Sequence, residues 1–274
     1  MTNTRANAAP ILRPEEVRPL LLDPIARDSL AAACSTVVYI DTPDLHVPTM
    51  ADLDVADWIP EGEEIPLGDA SFDGQTITPA RLVGGSVLTK ELAEDSNPEA
   101  ARLIGESLAR DLRRKLDASF FGTKGANTER PAGLLDLTGT TDVTPATAGD
   151  YLGAFLAAEQ QASVIDSSTN LYVANPATAA AISETILTGT AGVQDMTAPA
   201  GRTILGVPFI ASPLVAAGTI YGFNKASTLL VFRTDAEIER DDSVFFTSYR
   251  VAIRGRIRAS WGFTRPESII KITP

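Results

Sequence analysis

Apolar residues recur at every fourth position over one long segment of the chain, and this spacing predicts its main helix. The stripe consists of Ile104, Leu108, Leu112, Leu116 and Phe120. Charged residues fill the opposite side, as in a helix that packs on a core along one face. Pro98 suits the first turn and Gly122 suits the end. We therefore predict a helix over 98–121, about 36 Å long at about 1.5 Å per residue.

A second pattern, with a period of two, predicts a strand near the end of the chain. Val251, Ile253, Ile257 and Ala259 fall on one of its faces, and Arg250, Arg254, Arg256 and Arg258 fall on the other. Such a strand closes a core with its apolar face. Its opposite face presents four guanidinium groups.

Shorter patterns divide much of the remaining chain into the helices and strands of an α+β protein. We predict helices over 24–33, 148–164 and 176–187, and strands over 84–90, 171–174, 207–211, 219–223 and 229–233. The strand over 84–90 would lead into the main helix. Asn224 and Lys225 mark a turn between the last two strands of this set.

The N-terminal region has a different character because prolines interrupt it. They are Pro10, Pro14, Pro19, Pro24 and Pro43. They leave residues 1–45 as an extended arm with one short helical piece. The arm has too few apolar residues to fold on itself, so we expect it to lie on another surface.

An acid-rich segment overlaps the end of this arm. Between residues 28 and 80 there are eleven acidic side chains and no lysine or arginine. Turn residues within 58–80 predict a long two-stranded excursion with a polar tip. An isolated two-stranded ribbon is only marginally stable in water, which favours a partner surface. A mobile surface loop is the alternative.

The charge balance limits what the arginines near the end of the chain can bind. The 274 residues include 23 basic and 35 acidic ones, for a formal net charge of −12. A field of this sign repels nucleic acids and anionic membranes, so any contact with DNA would have to be local. No apolar run approaches the ~18 residues of a membrane helix, and no signal-peptide core is visible. We expect a soluble intracellular protein.

Few residues offer catalytic chemistry. His46 is the only histidine and Cys34 is the only cysteine, so a triad, a zinc site or an intrachain disulfide lacks candidates. We expect His46 to be a solvated loop imidazole and Cys34 to be a buried small thiol. A nucleophilic Cys34 is the alternative.

The acidic pairs and a glycine-containing segment also lack the features of a catalytic or phosphate-binding site. The acidic pairs Glu63/Glu64 and Asp241/Asp242 lie in turn-like polar stretches without apolar walls that could raise a pKa. Residues 84–90 resemble a phosphate loop only faintly, because they lack its second glycine and its final hydroxyl residue. The sequence therefore predicts no catalytic, cofactor or metal site.

Several runs of sequence stand in a characteristic order along the chain. They are Gly84-Gly-Ser-Val-Leu-Thr-Lys-Glu-Leu before the main helix, Phe121-Gly-Thr-Lys-Gly and Arg130-Pro-Ala-Gly-Leu-Leu after it, then Leu205-Gly-Val-Pro-Phe, and finally Asp241-Asp-Ser-Val-Phe-Phe with Arg250-Val-Ala-Ile-Arg. In this order and spacing the chain resembles the major capsid proteins of tailed bacteriophages, which have the Hong Kong 97 fold. The resemblance covers nearly the whole chain from about residue 30.

This resemblance implies an α+β fold of the Hong Kong 97 type with five parts. They are an N-terminal arm (1–45), an extended β-hairpin called the E-loop with its flanking strands (46–86), a peripheral P-domain with the long spine helix (87–133), an axial A-domain (134–232), and a return to the P-domain (233–274). It also implies pentamers and hexamers that tile an icosahedral shell around double-stranded DNA. The loop over 189–202 would then surround a local symmetry axis. No cofactor is implied.

Two features depart from some members of that family. The first lysine is Lys90, which lies beyond the E-loop, so the isopeptide crosslink of some relatives is not available in its usual form. Residues 1–45 are too short and too rich in proline for a long coiled scaffolding region. Scaffolding would therefore be a separate protein, absent, or already removed.

From the resemblance and the charge pattern we predict ionic contacts between neighbouring copies. The acidic set is Glu61, Glu63, Glu64, Asp69 and Asp73, and the arginine set is Arg110, Arg113, Arg114, Arg250, Arg254, Arg256 and Arg258. Exposed ion pairs contribute about 0–1 kcal/mol each, so their larger effect would be on register and partner choice.

Other expected partners are a portal, a separate scaffolding protein and decoration proteins. The shell would assemble in the host cytoplasm and take its place in the virion, with no membrane contact and no sequence-specific DNA binding. An encapsulin-type compartment with protein cargo is one alternative, although the sequence identifies no apolar groove for a cargo tail. A soluble carboxylate-dependent enzyme is the more remote one.

Overall fold

The computed structural model describes residues 23–50, 58–60, 72–89, 98–126, 129–145, 150–188 and 202–273, and the structural statements that follow concern these residues. Its helices are α1 (Asp23–Asp28), α2 (Leu30–Cys34), α3 (Pro98–Phe120), α4 (Tyr151–Val164) and α5 (Pro176–Thr188). None of them is both long enough and apolar enough to cross a membrane.

The main helix predicted from the sequence is α3, and its bounds agree with the prediction to within one residue. Leu108, Leu112, Leu116 and Phe120 of the apolar stripe are all buried. The side chain of Ile104 lies outside the described set. The spacing therefore predicted which side of the helix faces the core.

A four-stranded sheet supports α3. Its strand order is β1 (Thr36–Ile40), β10 (Thr228–Phe245), β11 (Arg250–Phe263) and β4 (Ala80–Thr89). Strand β1 runs parallel to β10, and the other two neighbouring pairs are antiparallel. Glycines let the helix approach closely, because a Cβ atom at Gly84 or Gly255 would lie 2.8 or 2.9 Å from the Leu108 side chain.

A two-stranded ribbon, β2 (Leu45–Met50) paired with β3 (Phe72–Ile77), lies over the opposite face of this sheet at one end. Ile77 of the ribbon packs with Ile40 and Val231 in a small buried cluster. A two-stranded excursion was predicted over 58–80; β3 lies within that range, whereas its partner β2 precedes it. Residues 61–71 lie outside the described set.

A six-stranded sheet forms the second layer of the protein. Its order is β5 (Thr141–Val143), β12 (Ile270–Ile272), β9 (Ile220–Phe223), β6 (Leu171–Ala174), β8 (Val207–Ala211) and β7 (Thr203–Ile204). All four residues of β6 and all four of β9 are buried. Alternate residues of β6 join two different apolar clusters, one shared with α3 and one with α4 and α5. Both faces of this sheet are therefore covered.

Aromatic side chains join the two sheets at the end of α3. The Phe120 ring lies 6.2 Å from that of Phe223 in β9 and 5.6 Å from that of Trp261 in β11. The loop after the helix is fixed to the same point, since Trp261 Nε1 donates to the Ala132 carbonyl at 2.6 Å and Arg130 Nη2 donates to the Ala118 carbonyl at 2.8 Å. The two sheets thus share one core cluster.

Three segments differ from the sequence-based expectation. In the predicted arm, 1–45, the helix expected over 24–33 is present as α1 and α2, but the arm also contains strand β1, and Ile25, Ala31 and Cys34 are buried in the core of the chain itself. Strand β10 has 18 residues, whereas only 229–233 was predicted; its extension is polar but pairs with β11. The predicted last segment, 233–274, is divided, because β12 pairs with β5 and β9 in the six-stranded sheet.

Candidate interaction surface

The face of the four-stranded sheet opposite α3 carries a concentration of charged side chains, and we call it the ionic face. Arg250, Arg254, Arg256 and Arg258 of β11 lie on it. The predicted alternation is confirmed, because Val251, Ile257 and Ala259 on the other face are buried. The ribbon covers only one end of the ionic face.

The register of β10 and β11 places acids directly opposite two of these arginines. Glu239 is paired with Arg254 and Glu237 with Arg256. The Arg254 guanidinium forms a close ion pair with the Glu239 carboxylate, and the Arg254 side chain remains 66% exposed. A pair this exposed contributes about 0–1 kcal/mol to folding because water screens it.

The next row of the ionic face contains three arginines side by side. Arg258 lies directly opposite Arg233 on β10 and directly opposite Arg81 on β4. Like charges facing each other across strands destabilise a sheet. This row therefore makes the ionic face attractive to carboxylates.

A cleft of about 750 Å³ opens beside this row, between the ribbon and the loop after α3. Its charged lining consists of Arg81, Lys124, Glu129, Arg130, Asp136 and Arg258. The Asp136 carboxylate accepts hydrogen bonds from the backbone N–H groups of Lys124 and Gly133. Four of the six charged residues are basic, although the whole chain is acidic.

Exposed apolar residues accompany the charges on β4. Val83 is 51% exposed and Val87 is 46% exposed, and both lie on the ionic face. Sequence reasoning missed these valines together with Arg81, Arg233 and Glu239. The only signal for them was the period of two within 80–89 and 229–240, which becomes informative once the strand partners are known.

The arginines predicted on the main helix lie on a different surface. Arg110 and Arg114 are exposed, and Arg113 Nη1 lies 3.8 Å from a carboxylate oxygen of Asp28 in α1. Within the part of the chain that the structure describes, no ion pair involves Arg110, Arg114 or Arg250. The predicted arginine set is therefore divided between a helix and the ionic face.

The predicted acidic set cannot be compared in the same way. Glu61, Glu63, Glu64 and Asp69 lie outside the described residues. Asp73 is in β3, opposite Thr49, and its side chain is not among those described. A contact between these acids and a neighbouring copy's arginines stays a prediction.

Cys34 and His46, the two candidates for catalysis, both contact other parts of the fold. Cys34 is fully buried, as predicted, and burial raises the pKa of its thiol, with the Asp117 carboxylate raising it further. His46 is exposed as predicted, but it lies in strand β2 instead of a loop, because this segment pairs with β3. Its ring nitrogen Nδ1 pairs with Thr76 Oγ1 at 2.9 Å across the ribbon. The Cys34 thiol is thus shielded from solvent, and the His46 ring contacts the neighbouring strand.

The acidic pair at 241–242 was predicted to lie in a turn, and this was wrong. Asp241 lies in β10 at a register irregularity, where the strand continues through an interruption in its pairing. The Ser243 hydroxyl and backbone N–H both donate to Asp241 Oδ1 and hold the pKa of this exposed carboxyl below its usual range. Across the described ranges, no three His, Cys, Asp or Glu side chains are grouped as metal ligands would be.

Comparison with known proteins shows which protein family matches most of the chain. A family model described as the phage capsid family matches residues 11–273. A capsid polyprotein of Pseudomonas phage PAJU2 is 28% identical over an alignment of 209 positions, which covers 68% of this chain and 30% of the relative. The chain thus spans about a third of the length of this curated relative.

Solved structures with a similar fold extend over almost the whole chain. A structure from Mycobacterium phage Bobi superposes with a TM-score of 0.70 at 14% identity, covering 100% of this chain and 94% of that one. The capsid of an empty GTA particle superposes with a TM-score of 0.69 at 16% identity, covering 99% and 94%.

Proposed function

Since the chain belongs to the phage capsid family and has the Hong Kong 97 fold, we propose that it is the major capsid protein of a tailed bacteriophage. Copies of the chain associate into pentamers and hexamers, which form an icosahedral shell that encloses double-stranded DNA. The observation that carries this proposal is the family match over residues 11–273. It agrees with a fold whose likeness to solved capsids covers nearly every residue.

The electrostatics suit a container for DNA. A wall with a net charge of −12 per subunit has little affinity for phosphate, which would otherwise hold the genome to the shell during packaging and ejection. The arginines do not form a phosphate-binding stripe on an all-basic surface, because Glu239 and Glu237 stand opposite two of them. Their arrangement favours contact with protein carboxylates.

In this proposal, the acid-rich segment of one copy contacts arginines of its neighbour. The acids are Glu61, Glu63, Glu64, Asp69 and Asp73. Arg250 on the ionic face and Arg110 and Arg114 on α3 are the first candidates, since no described carboxylate pairs with them. Arg113, Arg254, Arg256 and Arg258 complete the set, with Arg113 and Arg254 already placed beside acids of their own chain.

The five-part organisation given by the resemblance completes the proposal. The ribbon is the root of the E-loop, α3 is the spine helix, and the A-domain contains five strands of the six-stranded sheet, to which the last segment contributes β12. A portal, a separate scaffolding protein and decoration proteins are the further partners. Assembly takes place in the host cytoplasm.

Purified full-length protein tests the shell directly. We expect closed particles by electron microscopy and a mass many times the subunit's 29.0 kDa by light scattering. A stable monomer or dimer over a range of salt and protein concentrations would contradict the proposal. Particles from the complete phage should contain DNA; protein cargo in its place would favour the encapsulin-type alternative.

Charge reversal tests the proposed ionic contact. We expect Glu63→Lys combined with Glu64→Lys to slow shell formation and to make assembled shells more sensitive to salt, because like charges would then meet at the contact. The matched control is Asp142→Lys with Glu184→Lys, which changes the net charge equally at exposed sites of the six-stranded layer. Equal assembly by both double variants would rule out the contact.

A further inference from the structure

The cleft beside the arginine row lies where β11 loses its neighbour on one side. The pairing of β11 with β4 stops at Ala259, whereas its pairing with β10 continues to Phe263. Ser260, Trp261 and Phe263 belong to this extra stretch of β11, and they line the cleft. Within the described ranges, no further strand pairs with them in the place of β4. The cleft therefore follows an open strand edge, along which an extended chain can lie.

Positive charge predominates in this cleft, although the chain has a formal net charge of −12. Arg81 is exposed, and no described carboxylate pairs with it. Lys124 is a second exposed cation of the lining. The Asp136 carboxylate is engaged by the backbone N–H groups of Lys124 and Gly133, so Glu129 is the remaining acid of the lining. A ligand that carries carboxylates suits this distribution of charge.

Two buried polar atoms of the lining have no hydrogen-bond partner among the described residues. They are Gln75 Oε1, which is an acceptor, and Arg130 Nε, which is a donor. A phosphodiester offers acceptors only, so it cannot supply a donor to Gln75. A peptide backbone offers both N–H and C=O groups, and it can satisfy both residues once their side chains rotate towards it. The two atoms therefore favour a peptide over a nucleic-acid backbone.

We propose that the cleft binds an extended acidic segment of a separate partner protein. Carboxylates of this segment pair with Arg81 and Lys124, and its backbone follows the edge of β11 beyond Ala259. Its N–H and C=O groups become the partners of Gln75 and Arg130. The arginine row belongs to the same surface, because Arg258 lies directly opposite Arg81.

A neighbouring copy is the other source of acids, but the proposed shell contacts direct its acid-rich segment elsewhere. Those contacts begin with Arg250 on the ionic face and with Arg110 and Arg114 on α3. Arg250 and Arg258 are eight residues apart on β11, which places Arg250 about 27 Å from the arginine row at about 3.4 Å per residue. A segment bound there leaves the cleft to a different protein. The choice of a separate partner thus rests on the proposed function, whereas the chemistry of the ligand does not.

Peptide binding to unassembled full-length protein tests the site. The probe is a fluorescent oligoglutamate peptide, and its anisotropy at low salt measures binding. We expect saturable binding, whereas an oligoglutamine peptide of the same length should bind at least about tenfold more weakly because it lacks the carboxylates. Absence of oligoglutamate binding, or equal binding of the two peptides, would overturn the proposal.

Charge reversal locates the bound peptide. Arg81→Glu should weaken oligoglutamate binding at least about tenfold, because it replaces an attraction by a repulsion. The sheet should tolerate this change, since it places an acid opposite Arg258. Lys225→Glu is the matched control, because it changes the net charge equally at an exposed turn outside the cleft. The control should change affinity by less than about twofold, and equal weakening by both variants would reject the cleft as the site.

An oligothymidylate of the same length as the oligoglutamate peptide distinguishes carboxylate from phosphate. We expect it to compete poorly with the peptide, because it offers no donor to Gln75. Gln75→Leu should weaken oligoglutamate binding, by about threefold or more, since the acceptor for the peptide N–H is then lost. Tighter binding of oligothymidylate, with the same loss in Arg81→Glu, would overturn the assignment of a peptide ligand.

A synthetic peptide with the sequence of residues 58–73 of this chain tests the source of the segment. We expect it to bind no more tightly than oligoglutamate of equal charge. Tighter binding that is lost in Arg81→Glu would overturn the separate partner and identify a second copy as the ligand. Shell formation by the parent protein is measured independently: a parent that forms shells but does not bind oligoglutamate rejects this inference alone, and a parent that binds but forms no shells rejects the proposed function.

Discussion

In the four-stranded sheet, α3 covers one face and the other face carries rows of arginine and glutamate, whereas in the six-stranded sheet the central strands are buried on both faces. Charge follows the same division. Helix α3 has nine charged residues among its 23, while the whole region 137–224 has one basic residue, Arg202, and six acidic ones.

The difference indicates that the charged sheet face and the charge-poor layer have different roles within one subunit. Charged rows on an open sheet face give direction and register to a partner, at little gain in stability. A charge-poor surface around a fully covered sheet suits close packing, since charged residues are depleted at the centres of stable interfaces. We expect substitutions in the two layers to separate these effects.

The largest expected effect comes from the residue that joins the two layers. Phe120→Ala should lower the free energy of unfolding by about 3–5 kcal/mol, because the ring is fully buried between Phe223 and Trp261. Denaturant unfolding gives the size of the loss, and hydrogen exchange should show faster opening in both sheets. Phe155→Ala is the control, since its ring packs on Tyr172 in the other cluster; faster exchange there should be confined to the six-stranded layer.

The hydrogen bond between Tyr172 and Glu159 gives a prediction for the six-stranded layer. Tyr172 Oη donates to Glu159 Oε1 at 2.6 Å, and burial, reinforced by Glu159, raises the pKa of the phenol. Tyr172→Phe should cost about 1.5–3 kcal/mol at neutral pH, because a carboxylate loses its donor. Tyr151→Phe, at a half-buried site of α4, the helix that carries Glu159, should cost less.

The same contact gives an alkaline dependence of stability. Because the folded state raises the pKa of Tyr172, its stabilising effect is full below the unfolded pKa of about 10 and is lost as pH rises above that value. The parent protein should therefore lose stability between pH 9 and 11 more steeply than Tyr172→Phe. Equal slopes in urea titrations would show that Tyr172 does not resist ionisation.

The close approach of α3 to its sheet offers a test that distinguishes the two faces. Gly84→Val should cost about 1–3 kcal/mol, because the new side chain meets Leu108 and Leu112. Gly85, the next residue, has its nearest described neighbours at 3.4 Å or more. Gly85→Ala should change the midpoint of thermal unfolding much less, and equal losses would mean that the helix does not lie where the structure places it.

The smallest effect belongs to the ionic face. Glu239→Gln should change the stability of the unassembled subunit by at most about 1 kcal/mol, since its partner Arg254 is largely exposed. The difference should shrink further in 1 M salt. A loss above about 2 kcal/mol would exceed the range of exposed ion pairs and would show that this face stabilises the fold itself.

Local patterns predicted local features of this fold well. The four-residue spacing located α3 and its buried side, and the period of two located the arginine face of β11. Both follow from the geometry of a single element, which is why one sequence sufficed. The Hong Kong 97 resemblance is confirmed by the family match, while the five-part division that it implies stays a prediction.

Features that depend on residues far apart in the chain could not be predicted from local patterns. The parallel pairing of β1 with β10, the row formed by Arg81, Arg233 and Arg258, and the burial of Asp117 each join residues far apart in the chain. Asp117 sits in a charged helix and has no local sign of burial. Its donors, Ser29 and Ala31, lie in the helical piece predicted over 24–33, but no local pattern indicated that this piece packs on α3.

Strand β12 has a consequence for the order in which the protein is made. It is the last strand that the structure describes along the chain, yet it lies between β5 and β9 inside the six-stranded sheet. The other five strands of this sheet are all synthesised before it, so the sheet can complete its pairing only once the chain as far as residue 272 is available. A chain shortened before β12 would therefore leave β5 and β9 without the strand that lies between them.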